Sequence, residues 1–170
     1  GVIRGALPPD CLIDIITGSK LEKSDTIESP PHNPNSLKLR LVSWFKYYRF
    51  VIRWARRRRP EKYDLIFATS NPPINAYLGL RLKKIFHTAF IYMNWDLYPQ
   101  IIQTSMKGIV PAILSGLWNK VNSRIYPKID QILTIGSVMG ETLNAPLKNK
   151  VDLKIISMFT DTHRMKPIPK

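Results

Sequence analysis

Cysteine is almost absent from this chain of 170 residues, because Cys11 is its only copy. A single thiol excludes an intramolecular disulfide and a zinc site built from cysteines, and it indicates a reducing compartment. The histidines, His32, His87 and His163, lie far apart in the sequence and lack the short spacing of metal ligands. The sequence therefore predicts no metal site.

A long hydrophobic run is also missing. No stretch approaches the roughly 18 apolar residues of a membrane span, and the first residues lack the basic-then-apolar pattern of a signal peptide. We therefore expect a cytoplasmic protein that can touch a membrane surface without crossing the membrane.

Acidic residues are scarce relative to basic ones. The chain has 12 Asp and Glu against 26 Lys and Arg, which gives a formal net charge of +14. This excess favours a polyanionic partner, namely nucleic acid, anionic lipid or a phosphorylated ligand. Charge alone does not choose among the three.

Apolar runs alternate with helical segments along most of the chain. The pattern predicts strands over 11–17, 64–69, 88–94, 129–135 and 151–158, and helices over 36–59, 73–86, 108–126 and 137–147. Near-continuous hydrophobic strands separated by helices indicate an α/β fold, a doubly wound parallel sheet with helices on both faces. Residues 18–36 are polar and rich in proline, which predicts a long surface loop.

The chain begins close to its first predicted strand. The short opening Gly1–Pro9 has the character of a remnant loop and helix, so we expect a fragment that lacks its first strand. On this interpretation one domain covers residues 1–165, and residues 166–170 begin a linker to a further domain.

Each predicted strand ends in small or polar residues. These ends are Thr17-Gly18, Ser70-Asn71-Pro72-Pro73, Asn94-Trp95-Asp96, Gly136-Ser137 and Thr160-Asp161. The carboxyl ends of parallel strands meet at one edge, so we expect their hydroxyl, amide and carboxylate groups to face one cleft. Helix N-termini at the same edge favour anions. An anionic or polyhydroxylated ligand fits such an edge.

Simpler interpretations of these groups stay open. Ser137 suits a helix N-cap, and Ser70-Asn71-Pro72-Pro73 suits a turn that leads into a helix. Asp96 lies beside Trp95 and near Tyr98, where a carboxylate is costly unless it is paired. A functional role for Asp96 and a structural bond to a nearby backbone NH are equally compatible with the sequence.

Four segments together resemble a known family. They are Tyr63 to Pro73, the strand ending in Asn94-Trp95-Asp96-Leu97-Tyr98-Pro99, Ile129 to Ser137 with Met139 behind it, and Ile155 to Thr162. Their order and spacing resemble the N-terminal half of a family 4 glycosyltransferase, from Cys11 to near the end of the chain. The succession is more specific than any one of the segments.

The resemblance implies a GT-B enzyme of two Rossmann-like domains, of which the N-terminal one binds the acceptor and the C-terminal one the nucleotide-sugar. It implies sugar transfer to an acceptor hydroxyl with retained anomeric configuration, without a metal or other cofactor. By position, Gly1 and Arg4 would match the family's glycine-containing loop at the cleft. Asn94 and Asp96 would match polar residues on the acceptor side, with Asp96 as the candidate catalytic residue.

The chain departs from the family pattern in three places. The first strand is not recognisable, His87 lies at the wrong end of its strand to match the family's cleft histidine, and no two glutamates are eight positions apart. Such glutamates belong to the family's C-terminal domain. We therefore expect a chain that is inactive alone and holds a polysaccharide or lipid-linked acceptor. A missing C-terminal domain or a partner chain would bind the nucleotide-sugar.

The helix predicted over 36–59 is rich in both basic and aromatic residues. A docking stripe is predicted at Leu41, Phe45, Tyr48, Ile52 and Ala55, and a cationic stripe at Lys46, Arg49, Arg53 and Arg56. Tyr47, Phe50 and Trp54 form a third sector that docking does not use. A solvated charge run explains the arginines but leaves these aromatic rings unexplained.

Basic residues flanked by aromatic rings suit the headgroup region of an anionic membrane. We therefore predict peripheral binding to the inner face of the plasma membrane through Lys46, Arg49, Phe50, Arg53, Trp54, Arg56 and Arg57. The alternative is a non-catalytic basic α/β module that binds anionic membrane or nucleic acid. No helix-turn-helix, zinc-finger or RNA-recognition signature supports binding to nucleic acid.

Overall fold

A computed structural model of the chain describes residue 8 and residues 10–18, 26–31, 37–59, 61–98, 109–147 and 151–156. The chain divides into two units, Gly1–Glu61 and Lys62–Lys170. Both units contain parallel strands and at least one helix. The predicted α/β class is therefore confirmed.

The first unit contains a two-stranded sheet and one long helix. Strand β1 (Ile15–Thr17) pairs in parallel with β2 (Thr26–Glu28), and α1 (Leu37–Arg57) follows. The predicted helix is thus confirmed, but the loop predicted over 18–36 was wrong at β2. Three residues between polar flanks are too few to produce a periodic signal.

Helix α1 buries only part of the predicted docking stripe. Ala55 is fully buried as expected, and so is Val51, which lies outside that stripe, whereas Leu41 and Phe45, which were also expected to dock, are more than half exposed. Apolar side chains occur on every side of this helix, so periodicity alone could not identify the buried side.

The second unit contains a four-stranded parallel sheet in the order β3 (Leu65–Thr69), β4 (Ala89–Asn94), β5 (Gln131–Thr134) and β6 (Leu153–Ile155). Three helices connect them: α2 (Asn75–Phe86), α3 (Ile109–Ile125) and α4 (Ser137–Asn144). Short 3-10 turns at Tyr126–Lys128 and Ala145–Leu147 follow α3 and α4. Each of these strands and helices lies within a segment where the sequence predicts it.

One face of this sheet carries the core. Phe90 and Tyr92 of β4 and Ile132 of β5 point to that face, since alternate residues share a side. Gly79 of α2 lies directly against the Phe90 ring. Gly140 of α4 lies close to Leu153 of β6. The described connections therefore cover the face that holds Phe90.

The opposite face is more open at its edge. Leu65 and Phe67 of β3 point away from the core face and are partly exposed. A doubly wound sheet carries helices on both faces. The contacts that Gly79 and Gly140 make lie on the Phe90 face, and the double winding of the sheet remains a prediction.

Candidate functional site

The turn after β3 is tied to the segment after β4. Ser70 is fully buried, and its Oγ accepts hydrogen bonds from the backbone NH groups of Trp95 at 3.0 Å and Asp96 at 3.2 Å. The backbone NH of Ser70 donates to the Met93 carbonyl at 2.9 Å. One buried hydroxyl therefore fixes the path of the chain that carries Asp96.

Asn75 stabilises the same turn from the start of α2. Its Nδ2 donates to the carbonyls of Thr69 at 3.0 Å and Asn71 at 3.2 Å. Its Oδ1 is buried and has no hydrogen-bond partner among the described residues. Asn75 was not among the residues predicted from the sequence. The available signal was an amide side chain just after a turn, where such groups bond back to the backbone.

The ends of β4 and β5 place a buried amide beside a buried hydroxyl. Asn94 lies opposite Thr134 in the parallel register, and both are almost completely buried. Asn94 Nδ2 lies 3.8 Å from Met139 Sδ of α4. In the part of the chain that the structure describes, Thr134 Oγ1 has no hydrogen-bond partner. Both side chains are uncharged and lie buried at the carboxyl ends of their strands.

Helix α4 begins after β5 without a side-chain cap. Gly136 is its N-cap residue, in an extended conformation, and Ser137 is the first helical residue. The N-cap interpretation of Ser137 was therefore wrong, since the cap position lies one residue earlier. Ser137 is exposed at the carboxyl side of β5.

The partly buried Asp96 lies near the buried phenol of Tyr92, which shares a hydrogen bond with that of Tyr126. Burial raises the pKa of Tyr92 well above its ordinary value, with smaller contributions from Tyr126 and from the negative charge of Asp96. Burial also raises the pKa of Tyr126 to about 12, and the two hydroxyls share a hydrogen bond. Both phenols are therefore protonated at neutral pH and carry no charge that would repel the Asp96 carboxylate.

Helix α3 anchors the chain beyond Asp96. Asn122 Nδ2 donates to the Tyr98 carbonyl at 3.1 Å, and the Tyr98 ring stacks on Trp118 with centroids 6.3 Å apart. A cavity of about 10 Å³ between Tyr98 and Thr142 has room for about one water. The cavity is therefore too small for a sugar-sized ligand.

Most of the candidate cleft residues that the structure describes come together at this edge. Ser70, Asn71, Asn94, Asp96 and Ser137 all lie at or just beyond the carboxyl ends of β3, β4 and β5. Gly1, Arg4 and Thr160-Asp161 fall outside the described residues. The expectation that Thr17-Gly18 lies at this edge was wrong, because β1 pairs with β2 in a separate sheet. Across the described ranges, no three His, Cys, Asp or Glu side chains form a group that could hold a metal ion.

The candidate membrane residues of α1 separate into two groups. Lys46, Arg49, Arg53, Arg56 and Arg57 are exposed, whereas Phe50 and Trp54 are partly buried. The third sector of aromatic residues is therefore not the free surface that the sequence predicts. The exposed ring in this helix belongs to Phe45.

The fold and the edge define an α/β domain whose polar groups collect at the carboxyl ends of parallel strands. No family model matches the chain, and no curated protein or solved structure matches it. Its function is therefore inferred from the residues at the edge.

Proposed function

We propose that this chain is the acceptor-binding domain of a retaining glycosyltransferase of the GT-B type. The sugar donor is a nucleotide-sugar, bound by a second domain or by a partner chain. The acceptor is a hydroxyl of a polysaccharide or of a lipid-linked sugar. The observation that carries the proposal is the pair of hydrogen bonds that holds the Trp95-Asp96 backbone on the Ser70 hydroxyl.

These hydrogen bonds support a binding role because they position a carboxylate where ligands bind. In open parallel sheets the ligand lies beyond the carboxyl ends of the strands. Asp96 lies two residues after β4, and its chain path is set by the buried Ser70 side chain in the turn after β3. A group held in this way loses little conformational entropy when a ligand binds.

Each residue of the edge has a distinct part in the proposal. The Asp96 carboxylate accepts a hydrogen bond from the acceptor hydroxyl and orients it toward the donor sugar. The exposed Asn71 and Ser137 offer an amide and a hydroxyl to neighbouring sugar hydroxyls. Ser70 is a positioning residue, since it acts through the backbone of Asp96.

The test is Asp96→Asn in the complete enzyme, with Asp130→Asn as the matched control. Both variants remove one carboxylate charge, but Asp130 precedes β5 and so lies at the opposite edge of the sheet. We expect Asp96→Asn to lower kcat/KM for the acceptor at least about 100-fold, as the loss of a positioned acid or base does. Asp130→Asn should leave transfer unchanged. Full transfer by Asp96→Asn, or an equal loss in both variants, would contradict the proposal.

The reading frame that encodes this chain offers an independent check. We expect a second Rossmann-like domain with two glutamates eight positions apart, either in the same frame or in a partner chain. The 170 residues alone should bind the acceptor without turning it over. If neither the reading frame nor a partner chain supplies such a domain, the chain is a binding module without transfer activity.

A further inference from the structure

The exposed side of α1 changes character along the helix. In its N-terminal half Leu41, Val42 and Phe45 are 51%, 50% and 57% exposed. The exposed side of the remainder carries Lys46, Arg49, Arg53, Arg56 and Arg57. At about 100° per residue, Phe45, Arg49 and Arg53 fall within about 80° of one another. The helix thus presents one surface that is apolar at one end and cationic at the other.

The two halves of this surface meet at a defined contact. The Arg49 guanidinium lies 5.6 Å from the centroid of the Phe45 ring, within the range of a cation–π interaction. The sequence of α1, LKLRLVSWFKYYRFVIRWARR, contains no acidic residue. Its positive charge is therefore not neutralised from within the helix.

We propose that α1 is an interfacial helix that binds the surface of an anionic lipid bilayer. Leu41, Val42 and Phe45 insert among the acyl chains, while Lys46 and the arginines that follow contact the headgroups. None of the described helices is long and apolar enough to cross a membrane. The helix would therefore lie along the interface. This inference does not depend on sugar transfer.

The exposed side chains favour lipid over nucleic acid. Both partners are polyanions, so the arginines do not distinguish them. Leucine and valine gain from contact with acyl chains but not from contact with phosphates. Single-stranded nucleic acid stacks successive bases on several exposed aromatic rings, but α1 exposes the Phe45 ring while Trp44, Tyr47 and Trp54 are partly buried. The proposed partner is therefore a membrane surface.

Co-sedimentation with vesicles tests the cationic half. We expect the full chain to bind vesicles of phosphatidylcholine with phosphatidylglycerol, and not vesicles of phosphatidylcholine alone. Arg49→Gln with Arg53→Gln should lower the partition coefficient about 25-fold, about fivefold for each charge. The control, Lys120→Gln with Arg124→Gln, removes two exposed charges from α3. An equal loss in the control would overturn the assignment to α1.

A second pair of variants tests the apolar half. Val42→Ser with Phe45→Ser should lower partitioning more than tenfold, because two side chains can no longer be buried in lipid. Ile113→Ser with Leu117→Ser is the control, since both residues lie on α3 and are 58% exposed. Circular dichroism should show that all four double variants remain folded. If Val42→Ser with Phe45→Ser leaves the partition coefficient unchanged, the proposed insertion of this half of α1 among the acyl chains is wrong.

The orientation along the helix can be measured with a polarity-sensitive dye. Cys11 is exposed, so the label requires a Cys11→Ser background, into which Val42→Cys or Arg53→Cys is introduced. On anionic vesicles the dye at position 42 should shift further to the blue than the dye at position 53. Equal shifts would overturn the proposed orientation.

A gel-shift assay with single-stranded and duplex oligonucleotides completes the test. Binding to oligonucleotides without binding to vesicles would replace the membrane by nucleic acid. If the complete enzyme does not bind anionic vesicles but transfers sugar to a soluble acceptor, the interfacial helix alone is rejected and the proposed function stays in place.

Discussion

The two edges of the four-stranded sheet use polar groups in opposite ways. At the carboxyl edge, Ser70, Asn94 and Thr134 are neutral and almost completely buried. At the amino edge, Lys83 and Asp130 form an ion pair at 2.6 Å with side chains that are 31% and 43% exposed. One edge thus relies on buried hydrogen bonds, and the other on charge near solvent.

The difference indicates which edge is free to bind a ligand. Both Asp130 oxygens are occupied, one by Lys83 and the other by the Phe90 NH at 2.7 Å. At the carboxyl edge, two buried acceptors, Asn75 Oδ1 and Thr134 Oγ1, have no partner among the described residues. Buried polar groups of this kind are uncommon in stable folds and call for an explanation. The amino edge is therefore structural, while the carboxyl edge is the candidate site.

The largest expected effect is at Gly79, where α2 meets the sheet. A Cβ at this position would overlap the buried Phe90 ring, so Gly79→Ala should lower the free energy of unfolding by about 3 kcal/mol. Gly116→Ala is the control, because a Cβ there meets nothing within 4 Å. Urea denaturation should show the control to be more stable than the parent by about 1 kcal/mol. Equal effects at the two glycines would contradict the close packing of α2.

Ser70→Ala should have the next largest effect. Loss of the buried hydroxyl leaves the NH groups of Trp95 and Asp96 without their acceptor, which should cost about 2 kcal/mol. Ser123→Ala is the control, because the Ser123 hydroxyl bonds only locally, to the Lys120 carbonyl. Urea denaturation measures both variants.

The Ser70 variant also tests the link to the candidate site. If Ser70 acts by positioning Asp96, Ser70→Ala should raise KM for the acceptor in the complete enzyme at a temperature where the variant is folded. A variant that loses stability but keeps the KM of the parent would separate the hydrogen bonds from acceptor binding.

His87→Gly should raise stability, although less strongly. His87 ends α2 in the left-handed conformation, with φ of 54°, which glycine adopts without steric cost. We expect a gain of about 1 kcal/mol in thermal or urea unfolding. Transfer should not change, because His87 precedes β4 at the amino edge. A fall in transfer would show that the amino edge is not purely structural.

The sequence predicted the elements of the second unit but not the bonds between them. Strands such as Ala89–Asn94 are long and hydrophobic enough to be predicted from pattern alone. The hydrogen bond from the Asp96 NH to the Ser70 hydroxyl joins residues 26 positions apart, so it becomes visible only when β3 and β4 pair. Asp96 and Ser70 were therefore predicted separately, without the hydrogen bond that links them.

The exposed side of α1 shows a second limit of prediction. The basic residues of the predicted membrane surface are exposed, as expected because arginine is rarely buried. Which aromatic residues accompany them depends on the rotation of the helix about its axis. Trp54 and Phe45 are both hydrophobic, so either could lie on the buried or on the exposed side of the helix. In the structure Phe45 is the exposed one.

The smallest effect is expected at the amino edge, in Asp130→Asn. Partial burial alone would raise the pKa of Asp130, but the hydrogen bond from Lys83, the Phe90 NH and the Lys83 charge outweigh it and lower the pKa. The pair is partly exposed, so solvent screening limits the loss to about 0.5 kcal/mol at neutral pH.

The pH dependence follows from the direction of that shift. In the unfolded chain Asp130 binds its proton near its ordinary pKa of 3.8, whereas the folded protein binds it only at lower pH. The ion pair therefore contributes its full stability above about pH 4 and loses it as the pH falls through the folded-state pKa. Unfolding curves of the parent and of Asp130→Asn should differ at neutral pH and converge in acid. Curves that stay parallel to low pH would show that the carboxylate charge does not stabilise this edge.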